Sequence, residues 1–390
     1  MATLIPVTYE TVRWLPRTEL EYRRSSRHGG SYRAAVPASI ADVDLNLPPT
    51  LQAAADDASR EVARFDAESG GEIAPFAAVL LRSESAASSR IENLTASARA
   101  IAEAELPGVR GRANAEMVVA NTAAMVAAIE LSDSIDAQSI LSMHAALMRD
   151  QSRHTPGQWR TVQVWIGGGN SPMTADFVPP TDGRVPGAID DLLAFIRRDD
   201  VPSLAQIAAA HAQFETIHPF TDGNGRTGRA LVQAMLRNKG LTHGVTVPVS
   251  AGLLADTDGY FAALTAYRDG DAVPIVEQFT HAAMRAVANG RSLINEIKEI
   301  RASWDERIAA RADAAVWRVA DLLMRYPVIN GALLREQLGI STDHPRRHVG
   351  LLAEAGIVVE FTDRSRNRAW RAPEVLDALD AFAERAGRRD

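Results

Sequence analysis

Residues 218–229 read HPFTDGNGRTGR, a segment that combines a histidine, a carboxylate, two turn glycines and two arginines. Pro219 disfavours helical geometry at the residue before it, so we expect a helix to end near Ile217. Gly223 and Gly225 permit a tight loop, because glycine adopts positive φ without steric cost. The residues that follow, from Arg226 to Met235, predict a new helix. The segment is therefore expected to form a helix–loop–helix.

The same segment carries the side chains that nucleotide chemistry needs. A glycine loop that leads into a helix N-terminus presents backbone N–H groups to an anion. Arg226 and Arg229 are three residues apart and can reach separate phosphate oxygens from one helix face. Asp222 offers a hard oxygen ligand for Mg²⁺, and His218 is the natural proton acceptor for an attacking hydroxyl. Each residue alone favours an ordinary surface turn, whereas the combination favours nucleotide transfer.

This segment resembles the signature of the Fic (Fido) family, HPFx[D/E]GNGRxxR, at every fixed position. The preceding AHAQFETIHPF is similar to the family's lead-in helix, and PGQWR followed by DFVPP is similar to its flap region. The resemblance implies a mainly α fold, with a Fic-type helical core, a small β-hairpin flap and a C-terminal winged helix-turn-helix domain. It also implies an enzyme, a protein adenylyltransferase that moves AMP from ATP to a Ser, Thr or Tyr hydroxyl of a target protein or of itself.

The resemblance also implies roles for individual residues. His218 would deprotonate the target hydroxyl, and Asp222 would hold Mg²⁺ at the phosphates of ATP. Asn224 and the backbone of the two glycines would form an anion hole, and the two arginines would hold the β- and γ-phosphates. The complete phosphate-binding set is Gly223, Asn224, Gly225, Arg226 and Arg229.

Two further segments are similar to parts of the family that contact substrates. In GYFAALTAYRDGD, Tyr260 and Phe261 would pack against adenine, although aromatic residues on helices more often belong to a core. A flap with a glycine-rich tip would align the target through main-chain hydrogen bonds; without the motif, the same segment would be read as an ordinary surface hairpin. The flap residues are Met173, Thr174, Ala175, Asp176 and Phe177.

Residues 88–93, SSRIEN, resemble the family's inhibitory motif [ST]xxxE[GN] through Ser88, Glu92 and Asn93. The resemblance implies that Glu92 pairs with Arg229 and withdraws it from the γ-phosphate. Because the motif precedes the core, the chain is similar to the self-inhibited class II members, in some of which this glutamate also supports removal of AMP. The alternative is a capped helix with one exposed glutamate.

From Trp317 onward, three helices and two strands resemble a winged helix-turn-helix. Basic residues are expected on the recognition helix and on the wing, and this placement would suit phosphate contacts. Acidic neighbours such as Glu354 and Glu360 favour a protein partner over DNA. The basic residues are Arg346, Arg347, His348, Arg364, Arg366 and Arg368.

Two alternatives to protein AMP transfer remain open. One is a winged-helix DNA-binding regulator whose Fic core senses nucleotide. The other is kinase-like transfer, which we rank last because relatives of that kind carry lysine where this chain has Gly225.

The composition sets the remaining expectations. The 390 residues carry a net charge of −7 and no cysteine, which excludes disulfides and thiolate chemistry and argues against a protein coated with nucleic acid. We find no signal-peptide or membrane-spanning pattern and expect a cytoplasmic protein with no membrane partner.

We expect three regions: residues 1–110 with an extended N-terminal arm and the inhibitory helix, residues 111–290 as the Fic core, and residues 291–390 as a linker helix and winged helix. Separate helices are predicted over residues 73–84 and 88–102, and again over 272–289 and 292–312.

Overall fold

The computed structural model describes residues 2–14, 30–69, 74–151, 153–169, 171–311, 314–340, 346–362 and 368–388. Helices dominate these ranges. They are α1 Pro49–Ser69, α2 Ala74–Ile91, α3 Ala98–Ala104, α4 Ala113–Glu130, α5 Ala137–Leu147, α6 Val185–Ile196, α7 Ser203–Ile217, α8 Asn224–Asn238, α9 Val249–Leu254, α10 Thr257–Arg268, α11 Val273–Arg307, α12 Ala315–Arg325, α13 Gly331–Leu338, α14 Arg346–Glu354 and α15 Pro373–Ala386. The strands are β1 Ala2–Thr3, β2 Thr8–Trp14, β3 Gly30–Val36, β4 Val43–Asp44, β5 Val328–Asn330, β6 Val359–Glu360 and β7 Ala369–Arg371.

The chain forms two compact units. The first contains residues 1–59, 123–239 and 257–281, and the second contains residues 60–122, 240–256 and 282–390. The segments of the two units alternate along the chain, because α1, α4 and α11 each pass from one unit into the other. The three-region organisation expected from the sequence stays a prediction.

Helix α7 is the centre of the first unit. Every residue from Leu204 to Ile217 is buried, because α6, α8 and α10 all pack against this helix. Helix α5 in turn packs against α8. A helix that is buried on all sides needs small or apolar residues around its circumference, and the alanine-rich sequence of α7 meets that requirement.

The N-terminal region of the first unit contains strands, where the sequence suggested an extended arm. Strands β2 and β3 pair in antiparallel register, with Thr8 opposite Val36 and Trp14 opposite Gly30. Trp14 and Tyr32 lie in an apolar cluster together with Val178, which follows the flap. The alternating exposed and half-buried side chains of β2 are typical of a sheet with one covered face.

Helix α2 is the centre of the second unit, where it packs against α9, α12 and α15. It runs without a break over residues 74–91, so the two separate helices predicted over residues 73–84 and 88–102 are wrong. Glu84, on the buried side of α2, accepts hydrogen bonds from Ser250 N (2.8 Å) and Ser250 Oγ (2.6 Å). These contacts tie α2 to the start of α9 through charge-assisted bonds.

Helix α11 spans 35 residues, although two helices were expected from the sequence. Gly290 does not interrupt it; a Cβ at this position would lie 2.9 Å from the ring of Phe65. The glycine therefore allows α11 to approach α1 closely, and this packing outweighs its low helix propensity.

The C-terminal part of the second unit combines helices α12, α13 and α14 with a three-stranded antiparallel sheet in the order β5–β7–β6. The helices predicted around residues 317–354 and the two strands after them are present. Arg364 and Arg366 lie outside the described residues, as do the side chains of Arg346, Arg347 and His348. Within the described ranges, none of the helices is both long and apolar enough to cross a membrane.

The tight packing of α9 against α11 predicts that Gly252 cannot be replaced without loss of stability. A Cβ on Gly252 would lie 2.1 Å from the carbonyl oxygen of Ala282, which is backbone and cannot rotate away. We expect Gly252→Ala to destabilise the protein by about 1–3 kcal/mol through overpacking.

Gly350→Ala in α14 is the matched control, because nothing lies within 4 Å of the added methyl. This change should be neutral or stabilising by up to about 1 kcal/mol. Denaturant unfolding of both variants tests the prediction, and equal stability of the two variants would contradict it.

Candidate functional site

The turn between α7 and α8 begins with a strained residue. His218 ends α7 in the left-handed region, with φ 50° and ψ 62°, and its N–H donates to the carbonyl of Phe214. This conformation costs a residue with a Cβ about 1–2 kcal/mol. Glycine would avoid the cost, so the histidine points to a requirement for its side chain.

An aromatic stack anchors the middle of the turn. Phe220 is fully buried, and its ring lies 3.7 Å from that of His144 at an interplanar angle of 7°. Trp159 lies against the same ring at 5.1 Å. The turn is therefore fixed to α5, which carries His144, as well as to the two helices it joins.

Asn224, which was predicted to form part of an anion hole, uses its side chain to close the turn. Its Oδ1 accepts from Phe220 N at 2.8 Å, and its Nδ2 donates to Phe220 O at 2.9 Å. What Asn224 can offer an anion is its backbone N–H in the first turn of α8.

The two glycines of the turn differ in conformation. Gly223 has φ 75°, and a Cβ there would lie 2.9 Å from Leu147 Cδ2. Gly225 is already helical, because α8 begins at Asn224, two residues earlier than the sequence suggested. Gly223 therefore provides the bend, while Gly225 lies in the first turn of α8.

His144 is neutral in this structure and has a defined tautomer. Burial lowers the pKa of His144 to about 4. Its Nδ1 accepts from Gly157 N at 3.0 Å, so the proton is on Nε2, which donates to Asp222 O at 3.2 Å. The imidazole thus positions the backbone of the motif carboxylate.

A second carboxylate lies beside His218. Glu215 Oε2 is 3.8 Å from His218 Nδ1, and both side chains are largely buried. A carboxylate on the Nδ1 side of an imidazole leaves Nε2 as the nitrogen that can accept a proton from a substrate. The spacing of three residues places the two side chains on adjacent turns of the same helix end.

Asp222 is the accessible acid of the turn, with 48% of its side chain exposed. Its Oδ1 accepts from Gly223 N at 2.7 Å and lies 3.9 Å from the guanidinium of Arg226. His154 lies on its other side, 3.6 Å from Oδ2. A single exposed carboxylate suits Mg²⁺ that takes most of its ligands from phosphates and water. The described residues contain no cluster of three or more protein ligands.

The two motif arginines and the predicted adenine residues lie in different environments. Arg226 and Arg229 are 5% and 2% exposed, so both cations are held inside the protein. Tyr260 is buried, and its hydroxyl is 2.7 Å from His211 Nε2, which places it in the core of the first unit. Phe261 is 51% exposed and is the aromatic residue of this pair that a ligand can reach.

The flap consists of two extended pieces joined by a glycine-rich tip. Ile166 and Phe177 form an antiparallel bridge, with Ile166 N donating to Phe177 O at 2.8 Å. Met173 and Ala175 pack against the apolar cluster, whereas Thr174 and Asp176 are exposed. A Cβ on Gly168 would lie 1.7 Å from the carbonyl of Thr174, so the tip can close only around glycine.

The predicted inhibitory residues lie at the end of α2, in the second unit. Ser88 is buried in the last turn, and Glu92 follows the helix with an exposed side chain. Asn93 has φ 60°, the left-handed conformation that ends many helices. Since Arg229 belongs to the first unit, the pairing of Glu92 with it stays a prediction.

Several residues that surround the motif were not found by sequence reasoning. Arg160 donates from Nε to His218 O at 2.9 Å, yet it lies 58 residues earlier in the chain. His144 is still more distant in sequence, and His154 carried no local signal. Glu215 could have been found, because its spacing from His218 is helical.

The burial of His211 predicts that the stability of the protein depends on pH. Burial, with the positive charge of Arg229 as a smaller cause, lowers the pKa of His211 to about 3. In the unfolded chain its pKa would be about 6.5, so protonation favours unfolding as pH falls below that value. We expect the free energy of unfolding to fall by about 2 kcal/mol between pH 7 and pH 5 from this residue alone.

Urea unfolding at both pH values should show this loss in the wild type. His211→Asn, which does not titrate, should show a drop smaller by about that amount. An unchanged pH dependence in His211→Asn would contradict the prediction.

Comparison with known proteins gives a family match, several relatives and a solved structure of similar fold. Residues 134–236 match the Fic/DOC family. Protein adenylyltransferase fic-1 of Caenorhabditis elegans is 29% identical over 147 residues, which are 37% of this chain and 26% of that protein. The probable protein adenylyltransferase aq_aa38 of Aquifex aeolicus (strain VF5) is 37% identical over 87 residues, 21% of this chain and 27% of the relative. The chain thus spans about a quarter of the length of these relatives.

The crystal structure of a Fic family protein from Desulfovibrio desulfuricans G20 aligns with a TM-score of 0.51 and 24% identity. The alignment covers 82% of this chain and 95% of that one. The predicted fold class, mainly α with a Fic-type helical core and a small flap, is confirmed. Residues 134–236 carry the Fic/DOC match, and the chain around them has the fold of a Fic family protein.

Proposed function

We propose that this protein is an adenylyltransferase that transfers AMP from ATP to a hydroxyl of a protein. The observation that carries the proposal is the turn after α7, which places an imidazole next to a helix N-terminus with two buried arginines in its first turns. Anions bind at such helix ends, and guanidinium groups bind phosphate oxygens in pairs. The names of the relatives support the same activity.

His218 is the general base of the proposed reaction. The hydroxyl oxygen of a Ser, Thr or Tyr side chain attacks the α-phosphorus of ATP, and its proton passes to His218 Nε2. The new O–P bond forms as the bond from the α-phosphorus to the bridging oxygen breaks, and pyrophosphate leaves. Glu215, 3.8 Å from Nδ1, leaves Nε2 as the accepting nitrogen and stabilises the imidazolium.

The phosphates are held by α8 in this proposal. Arg226 and Arg229 supply the positive charge, and the backbone N–H groups of the first turn supply hydrogen bonds. Because these cations are fixed inside the protein before ATP binds, little reorganisation is needed. Asp222 would hold Mg²⁺, which offsets the charge of the phosphates when bound.

The flap and Phe261 are the proposed contacts to the two substrates. The exposed Thr174 and Asp176 alternate with residues packed beneath the flap, a pattern that leaves one strand surface for a target segment. Phe261 is the remaining candidate for stacking on adenine, since Tyr260 hydrogen-bonds to His211. The target is a protein, either this one or another.

We also propose self-inhibition by Glu92, in line with the SSRIEN motif. Its place immediately after α2 is supported by the left-handed Asn93, which ends the helix and holds the glutamate at its tip. A hundredfold inhibition requires a bias of about 2.7 kcal/mol, which one ion pair with a buried arginine can supply. The same carboxylate would also activate the water that removes AMP from a modified protein.

The C-terminal helices and sheet are proposed to be a winged helix that binds a protein partner. The order α12–β5–α13–α14–β6–β7, three helices with a small sheet, supports this proposal. On the sheet, Arg368 pairs with Glu360 at 3.2 Å, which reduces its charge for phosphate contacts. Leu351 on α14 and Val359 on β6 are exposed apolar residues, which suit a protein surface better than DNA.

The proposed role of His218 as the base can be tested by substitution. With ATP labelled at the α-phosphate and magnesium, His218→Ala should transfer label about 10²–10⁴-fold more slowly than wild type, because the proton acceptor is gone. ATP affinity should be retained. His281→Ala, which removes an exposed histidine outside the turn, should behave as wild type. Equal transfer by both histidine variants would refute the role of His218.

The proposed self-inhibition by Glu92 can be tested in the same assay. Glu92→Gly should increase label transfer by about tenfold or more, since each tenfold corresponds to only about 1.4 kcal/mol. Asn93→Gly is the matched control: it preserves the left-handed backbone and the carboxylate, and it should remain inhibited. If both variants transferred label faster than wild type to the same extent, the inhibition would depend on the structure of the helix end and not on the charge of Glu92.

The DNA-binding alternative predicts a different pair of results. Salt-sensitive binding to DNA together with no transfer of label, even by Glu92→Gly, would favour a regulator that senses nucleotide.

A further inference from the structure

Arg160 connects two parts of the first unit that the proposed reaction uses. It lies directly before the flap region, is only 2% exposed and donates to backbone carbonyls from three of its nitrogens. On the flap side, its Nη1 donates to Val162 O at 3.2 Å and its Nη2 donates to Pro180 O. These two carbonyls belong to the two chain segments at the base of the flap.

On the other side, Arg160 binds the strained turn. Its Nε donates to His218 O at 2.9 Å, and its Nη2 is 3.5 Å from Ile217 O. Its backbone N–H donates to Pro219 O at 2.9 Å. Three successive carbonyls around the left-handed residue are therefore held by one arginine.

The chemistry of these contacts explains why an arginine is present. Burial lowers the pKa of Arg160 to about 10, and the group therefore stays charged at neutral pH. Only a planar guanidinium can direct several N–H groups to carbonyls on opposite sides at once; a lysine ammonium donates from a single atom. A buried charge that binds carbonyls is also costly to disturb, because its partners lose their hydrogen bonds with it.

We infer that Arg160 is a positioning residue that locks the backbone of His218 to the base of the flap, so that the base and the docked hydroxyl are held in one geometry. The inference rests on the proposed function, in which His218 is the base and the flap aligns the target. The phosphate-binding residues of α8 are not among the contacts of the Arg160 guanidinium described above, so ATP binding should be independent of it.

Arg160→Lys tests the inference with the least disturbance, since it keeps the charge and most of the volume. Arg198→Lys is the matched control: Arg198 also donates to backbone carbonyls in the first unit, Val43 O at 2.6 Å and Ala41 O at 3.3 Å, but none of these belongs to the flap or the turn. Both substitutions are made in wild type and in the Glu92→Gly protein.

Steady-state transfer of α-labelled AMP should separate the two variants. We expect Arg160→Lys to lower kcat about 10- to 100-fold, the effect of a small misplacement of reacting groups, while the Kd for ATP changes less than about twofold. Arg198→Lys should keep kcat within about twofold of its parent. A kcat for Arg160→Lys within twofold of its parent, or an equal loss in both variants, would overturn the inference.

Hydrogen exchange gives a readout that does not depend on activity. Peptides covering residues 162–166, 177–182 and 216–220 should all exchange faster in Arg160→Lys and should be unchanged in Arg198→Lys. Unchanged exchange in Arg160→Lys would overturn the inference that Arg160 connects the turn to the flap, even if kcat fell. Faster exchange in all three peptides, together with no label transfer by any parent protein, would support the linkage and reject the proposed function instead.

Discussion

The backbone conformation of one residue, His218, controls how the first unit places its reactive groups. Helix α7 is buried from Leu204 to Ile217 and has to end where α8 can begin against it, with only six residues between the two helices. A left-handed residue makes so abrupt a reversal feasible. Phe220 then anchors the turn in the aromatic stack, and the Asn224 amide closes it. The imidazole and the N-terminus of α8 are brought together by this turn.

The local conformation of the motif was predictable because it depends on short-range spacing. A proline after the histidine, a glycine at positive φ and two arginines on one helix face all follow from short-range rules. Tyr260 shows the limit of such rules, since a helical aromatic has the same sequence pattern whether it lines a pocket or, as here, lies in the core against His211. Arg160 and His144 could not be predicted, because only the tertiary fold brings them to the turn.

The long helices show a second limit. The sequence indicated breaks before Ser88 and near Gly290, where turn-forming or small residues interrupt the helical pattern. In the structure α2 and α11 continue through these positions, because burial against neighbouring helices offsets weak local propensity. Glu84 adds a specific contact by binding both the N–H and the hydroxyl of Ser250. The position of Glu92 at the end of α2 therefore depends on tertiary packing, which periodicity alone does not reveal.

The charges of the first unit explain why its site is suited to an anion. Arg226 and Arg229 are buried and Arg268 is half-buried, and this burial lowers the pKa of the Arg268 guanidinium. His211 is kept neutral beside Arg229, which avoids a further positive charge, while Asp222 remains exposed at the edge of the turn. In the proposed reaction, the phosphates of ATP would add negative charge beside these cations. Because these cations are already in place when the protein folds, the proposed binding of ATP would need little reorganisation of the site.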